Sequence, residues 1–237
     1  MINENKVVES LKKVKNILEK KDIDFWLDTG TLLGAIREKK FIQWDKDIDI
    51  GVFYKDIKKI KECFKELKNS GFEIFYFKIE KFIKILNSYC EIDLNLYDIK
   101  EGNAIKTYYI HNKIGRIIDY LRWILTIDKI EYKKSNAPKK FTKKISMARK
   151  KSPKIFLRPT NKILEILYRK IGSKKVNIEI PKKFFTTLED IKFYNLTFKI
   201  PNNTEKYLEY RYGKDWRVPN KNYIYYRDDK AIVKKNK

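Results

Sequence analysis

The sequence predicts a mixed α/β (α+β) fold, a sheet flanked by helices, and three observations predict it. Residues 47–50 and 90–97 alternate polar and apolar side chains with the period of two that a half-buried strand requires. Residues 7–20 and 57–67 instead repeat their apolar positions at helical spacing, as Val7, Leu11, Val14 and Leu18 and then as Ile57, Ile60, Cys63, Phe64 and Leu67. A chain of 237 residues, 43% of them hydrophobic, can bury a core beneath such elements without staples.

Composition narrows the partners. The net charge of +24, from 55 Lys plus Arg against 31 Asp plus Glu, favours anionic partners: nucleotides, nucleic acid or an acidic membrane surface. Two cysteines, Cys63 and Cys90, give neither a disulfide framework nor a zinc quartet and suit a reducing compartment. No run reaches the roughly eighteen apolar residues of a membrane span, and the first residues lack the apolar segment of a secretory signal. A cytoplasmic protein is expected, with the inner face of the membrane as an alternative position.

Taken in order, the first helix covers the sheet, and Asp22 turns into a strand at Phe25 to Leu27. Gly30-Thr31-Leu32-Leu33-Gly34 follows. Gly30 permits close backbone approach to an oxyanion, Thr31 is expected to cap a helix beginning at Leu32, and the helix N-terminus adds partial positive charge. Gly30, Thr31 and Gly34 are therefore candidate phosphate contacts. Arg37 suits the same task through its planar fork, with a solvated surface arginine as the alternative. Asp28 is expected to orient the turn by accepting backbone N–H groups, and Trp44 to close it against the body of the domain.

The acidic strand comes next. If Ile48 and Ile50 face a core, Asp47 and Asp49 leave the opposite face side by side. Two carboxylates that close repel unless a cation lies between them, and a hard, oxygen-liganded divalent ion such as Mg2+, or Mn2+, suits them. Ordinary amphipathic patterning is the bland alternative. Asp45 just before the pair is expected to hold the loop or a metal-bound water. After the helix at 57–67, ended by Asn69-Ser70-Gly71, residues 72–77 and 82–86 read as a hairpin. In the run from Cys90 to Tyr97, Ile92, Leu94 and Leu96 face one way, and Glu91, Asp93 and Asn95 the other. A strand lying beside residues 48–53 would bring Asp93 to Asp47 and Asp49 as a third metal-ligating carboxylate, or as the base for an acceptor hydroxyl.

The middle is basic. Residues 112–130 read as a broad apolar helix, His111 as a surface or capping residue, and Tyr132 to Leu164 contains 12 Lys or Arg and no acid. Such a block suits phosphorylated polymers or anionic headgroups, whereas its sparse aromatics argue against a nucleic-acid platform. A second helix is expected from Asn161 to Lys170. Beyond it come a strand pair, Ile191 to Phe193 and Leu196 to Ile200, and a helix capped by Thr204 and stopped at Gly213.

Four segments, GTLLGAIR (30–37), QWDKDIDI (43–50), EIDL (91–94) and PNNTEKYLEYRYGKDW (201–216), together resemble the LicD family, which includes bacterial phosphocholine transferases and the fukutin-related group. The resemblance implies a nucleotidyltransferase-like mixed sheet, expected over residues 1–110; it gives little support to residues 98–180, where composition and spacing predict a basic, mainly helical subdomain or insertion at 111–180, followed by a C-terminal segment at 181–237 that packs back on the core. It implies transfer of phosphocholine, ribitol phosphate or glycerol phosphate from a CDP-linked donor to a hydroxyl of a cell-surface glycan, with release of CMP. The acceptor would be a sugar, an oligosaccharide or a lipid-linked glycan. Asp47, Asp49 and Asp93 carry over as metal ligands, and Gly30 and Thr31 as donor-phosphate contacts. Thr29 departs from the family, many of whose members have a second glycine there. Two other readings stand beside this one: a nucleotidyltransferase acting from an NTP on RNA or a small molecule, and a non-enzymatic nucleic-acid or membrane adaptor resting on the basic block.

Overall fold

The computed structural model describes residues 4–78, 80–126 and 162–233. Helix α1 (Glu4–Glu19) leads to β1 (Phe25–Leu27), α2 (Thr29–Arg37) and β2 (Asp47–Phe53). After a short 3-10 turn come α3 (Ile57–Asn69), β3 (Glu73–Phe77), β4 (Phe82–Leu86), β5 (Glu91–Lys100), β6 (Asn103–His111) and α4 (Lys113–Thr126). The described chain resumes in a helical segment at 162–172 and continues through β7 (Ser173–Pro181), β8 (Glu189–Phe193), β9 (Leu196–Ile200), α5 (Thr204–Tyr212) and α6 (Tyr225–Asp228).

Seven strands form one mixed sheet in the order β1-β2-β5-β4-β3, with β6 paired to β5 and β7. Its centre is a parallel pair: β2 and β5 align from Asp47 opposite Glu91 to Phe53 opposite Tyr97. Parallel neighbours need a crossover, and α3 with the β3–β4 hairpin supplies it. Val7, Leu11, Val14 and Leu18 of α1 and Ile60, Cys63 and Leu67 of α3 are buried in one core with Ile48, Ile50, Ile92 and Leu94 of the sheet. The mixed α/β sheet flanked by helices is thus as the alternating and helical periods predict. Gly51 is required where it stands, because the Trp26 ring occupies the space its Cβ would fill. Trp26 then packs on Phe53, Tyr97 and Phe185, fully buried in the core.

The chain divides into two compact units, residues 1–108 with 177–237, and residues 109–176. Within the second, the backbones of Gly115 and Gly172 meet so closely that a Cβ on Gly115 would strike the Gly172 carbonyl. Asn112 fastens the same contact, its side-chain amide donating to the Ile171 carbonyl at 2.6 Å and its N–H to the Gly172 carbonyl at 3.1 Å.

Several local expectations change. The 111–180 region, expected to be mainly helical, ends in strand β7, whose Val176, Ile178 and Ile180 alternate into the core. The start of α2 is Thr29, with Asp28 at the cap position and no side-chain cap bond, so Thr31 lies inside the helix. Thr204 is likewise the first residue of α5, and its hydroxyl donates to the Pro201 carbonyl at 2.5 Å. Trp44 is 38% exposed with Lys221 over its ring, and does not close the turn against the core. The basic block at 132–164 lies outside the described residues except for its last three positions.

Candidate active site

The site grows from the alternation in β2. Ile48 and Ile50 are buried, which leaves Asp47 and Asp49 half-buried on the other face. Register then decides their neighbours: Asp47 lies opposite Glu91, and Asp49 opposite Asp93, across the parallel pair. The adjacency expected for Asp93 is present. Carboxylate oxygens gather into two groups, Asp45 with Asp47 and Asp49, and Asp47 with Glu91 and Asp93, each within 4.8 Å of one another. Asp47 is common to both, whereas Asp49 belongs to the first and Asp93 to the second. Asp45 and Glu91 extend the expected triad. Each precedes a recognised acid by two residues and so shares its face, the signal by which parity alone could have found them.

Helix α2 is fastened to this strand. The Asp49 N–H donates to the Thr31 hydroxyl at 2.8 Å, and the Asp28 N–H to the Asp49 carbonyl at 3.1 Å. Gly30 leaves the space its Cβ would fill to the Asp45 carboxylate. The helix N-terminus therefore meets carboxylates directly, and its partial positive charge steadies them. Thr29, the departure from the family pattern, has φ +38, a left-handed conformation that a β-branched residue adopts only under constraint.

Gly34 and Arg37 fall elsewhere. A Cβ on Gly34 would lie 2.6 Å from the Lys40 carbonyl, so this glycine serves the close packing of the 39–42 loop on α2. Arg37 lies seven positions beyond Gly30, about 10 Å along the helix axis. Its guanidinium donates to Glu38 Oε1 at 2.6 Å and to the Trp216 carbonyl at 3.3 Å. The structure gathers Asp47, Asp49 and Asp93 with Gly30 and Thr31, and sets Arg37 against the C-terminal segment.

Asp28 does not orient the turn through its side chain. It is fully buried, accepts hydrogen bonds from the hydroxyls of Tyr97 (2.8 Å) and Tyr207 (3.2 Å), and lies 3.7 Å from Arg211. Arg211, also buried, is bound by Asp229 at 2.7 Å. These partners come from three distant segments, so no local pattern announces them.

The electrostatics are those of crowded anions. Burial, then the charge of Asp47, pushes the Asp45 carboxyl up to about 7. Burial likewise raises Asp93 to about 7; Lys84 opposes the rise and Asp47 adds to it. Asp49 is held well above the ordinary carboxylate range by burial and by its neighbours Asp47 and Asp28. Lys106 of β6 is 2% exposed, donates to the Lys81 carbonyl at 2.9 Å, and is lowered to about 8 by burial even though Asp28, Asp49 and Asp93 favour its charge. Tyr225, 47% exposed on α6, is also within the field of Asp47, Asp49 and Asp93, and its ring packs at a tilt on Tyr108 with centroids 4.5 Å apart. Neither Lys106 nor Tyr225 carries a sequence signal.

These residues fit a divalent cation. Two sets of three oxygens at ligand spacing suit a hard ion, and Asp93 Oδ1 is buried, accepts no hydrogen bond and has the Lys84 ammonium 3.7 Å away.

Comparison with known proteins agrees with the geometry. Residues 22–116 match the family described as LicD/FKTN/FKRP, nucleotidyltransferase domain. An uncharacterized protein of Rickettsia typhi is 35% identical over 69 residues, 29% of this chain and 22% of that protein. The human ribitol 5-phosphate transferase FKRP is 39% identical over 49 residues, 21% of this chain and 10% of its own length. Human ribitol-5-phosphate transferase FKTN is 40% identical over 50 residues, 21% and 11% of the two chains. These matches therefore span a quarter or less of the curated relatives. Among solved structures, ANT(2")-Ia in complex with adenylyl-2"-tobramycin aligns with a TM-score of 0.35 and 10% identity, covering 69% of this chain and 99% of that one. The matched segment contains α2, both acid-bearing strands and all five carboxylates, and it is this part of the chain that is similar to the nucleotidyltransferase domain of the LicD/FKTN/FKRP family.

Proposed function

We propose that the protein transfers a phosphorylated alcohol (phosphocholine, ribitol phosphate or glycerol phosphate) from a CDP-linked donor to a hydroxyl of a cell-surface glycan, releasing CMP. Similarity to the LicD/FKTN/FKRP domain supports phosphotransfer in general. The observation that carries the finer reading is the Asp49–Asp93 register, which sets a buried carboxylate beside the acids at the N-terminus of α2.

Asp45, Asp47 and Asp49 would hold Mg2+ or Mn2+, with Glu91 and Asp93 beside them. A divalent cation there supplies positive charge for the oxygens of the donor diphosphate. Gly30 and Thr31 present the first turn of α2, whose leading N–H groups have no carbonyl partner within the helix, to those same oxygens. Asp93, buried on β5 opposite Asp49, acts as the general base. It takes the proton of the acceptor hydroxyl as that oxygen bonds to the phosphorus bearing the alcohol. The bond from that phosphorus to the bridging oxygen breaks, and CMP departs with its electron pair. Arg37 steadies α2 from the far end through Glu38 and Trp216. Among the described residues no helix is long and apolar enough to cross a membrane.

The test is a screen of CDP-choline, CDP-ribitol and CDP-glycerol for CMP release in Mg2+ with cell-surface glycans as acceptors. One donor is expected to react. D49N and D47N should lose more than about a hundredfold with their melting curves retained, because several kcal/mol of charge stabilisation corresponds to such a factor. Undiminished release by folded D49N would overturn the proposal. Pyrophosphate release from an NTP in the same assay, with all three CDP-alcohols inert, would assign nucleotidyl transfer instead.

A further inference from the structure

We infer that Lys84 is a resident cation filling the second carboxylate group, so that the site takes one divalent ion at Asp45, Asp47 and Asp49 rather than two. The inference rests on the metal-dependent reading above and assigns the cations within it.

The two carboxylate groups share Asp47 but differ in what neutralises them. Lys84 of β4 lies directly opposite Asp93 across the antiparallel β4–β5 pair, and side chains directly opposite share a sheet face. Its ammonium is ion-paired with Glu91 and stands 3.7 Å from Asp93 Oδ1. The second group thus already contains a positive charge, delivered by a strand that is third in the order β2-β5-β4. The first group has no such ion pair, and the buried Lys106 acts on Asp49 only through its field. Among the described residues no Lys or Arg pairs with Asp45, Asp47 or Asp49; Asp45 accepts the Lys46 N–H at 3.2 Å and Asp49 accepts the Asn95 amide at 3.1 Å.

The asymmetry has a physical consequence. The Lys84 side chain is 25% exposed and springs from a strand paired on both sides, so its ammonium has little room to swing away. A second divalent ion at Asp47, Glu91 and Asp93 must displace that ammonium from two carboxylates and leave it half-buried without them, a cost the first position does not carry. A lysine is also a compact point charge with three donors, able to face a phosphate oxygen from the place a second ion would take.

The experiment counts Mn2+ bound to the full chain without substrate, by calorimetric titration and by the loss of free-ion electron paramagnetic resonance signal. Wild type should bind one ion, K84R one, and K84M two. K84M/D49N should regain one ion, held by Asp47, Glu91 and Asp93, where D49N alone holds none. Thermal melts identify folded variants, and K84Q replaces K84M should the latter not fold. Two ions in wild type, or one in folded K84M, would overturn the assignment of Lys84 and leave the metal-dependent reading standing. No ion in either protein would remove that reading and this inference together.

Discussion

The Asp49 N–H donates to the Thr31 hydroxyl at 2.8 Å, so the first turn of α2 and the middle of the acidic strand move as one piece. Thr31→Val keeps the shape of the side chain and removes the acceptor. A buried amide then loses its partner, at a cost of about 1–3 kcal/mol. T31V should melt lower than wild type and T31S close to it, and T31V should bind Mn2+ more weakly because Asp49 is no longer fixed. Equal melting of T31V and wild type would contradict this.

Gly30 makes room for Asp45. Gly30→Ala places a methyl group where the carboxylate lies, while the helical backbone tolerates alanine well. The fold should persist and Mn2+ affinity should fall by about 10–100-fold, the range seen when groups that orient ligands are lost. Unchanged affinity in a titration of G30A would remove Asp45 from the ligand set.

Arg211 joins Asp28 and Asp229 in the core and donates to Tyr207 at 2.9 Å. Arg211→Met leaves two buried carboxylates without their cation, and breaking such a cluster from one side costs about 3–5 kcal/mol. Urea unfolding of R211M should show a midpoint lowered to match, and a midpoint within error of wild type would count against the buried network.

Stability should depend on pH with a definite sign. The folded-state values of Asp45 and Asp93 are raised to about 7, and Asp49 is raised as well. Between the unfolded carboxylate value near pH 4 and those raised values, the native state holds more protons than the unfolded chain, so stability falls as pH rises through this window. Metal-free protein should therefore melt higher at pH 5.5 than at pH 8. Mg2+ should narrow the gap by favouring the ionised forms, and D49N should narrow it without metal. A metal-free melting temperature that rises from pH 5.5 to 8 would refute the assignment.

How much of this was legible in the sequence follows from where the information lies. A period of two leaves Asp47, Asp49 and Asp93 only one face each, so the side they share could be read before any coordinates. The separate pairing partners of Asp49 and Asp47 depend on register, which neither strand states alone. Strand β6 was hidden because a lysine, Lys106, occupies an inward position between Ala104 and Tyr108. Asp28 was misjudged for a related reason: its partners, Tyr97, Tyr207 and Arg211, are remote in sequence, while the backbone it was expected to cap is adjacent.

Strands β6 and β7 pair with one another, and Thr107 donates to the Asn177 side chain at 3.0 Å just where residues 109–176 depart and return. Both residues of that bond belong to the first unit, so the two stretches of chain on either side of residues 109–176 are fastened to each other by their own side chains.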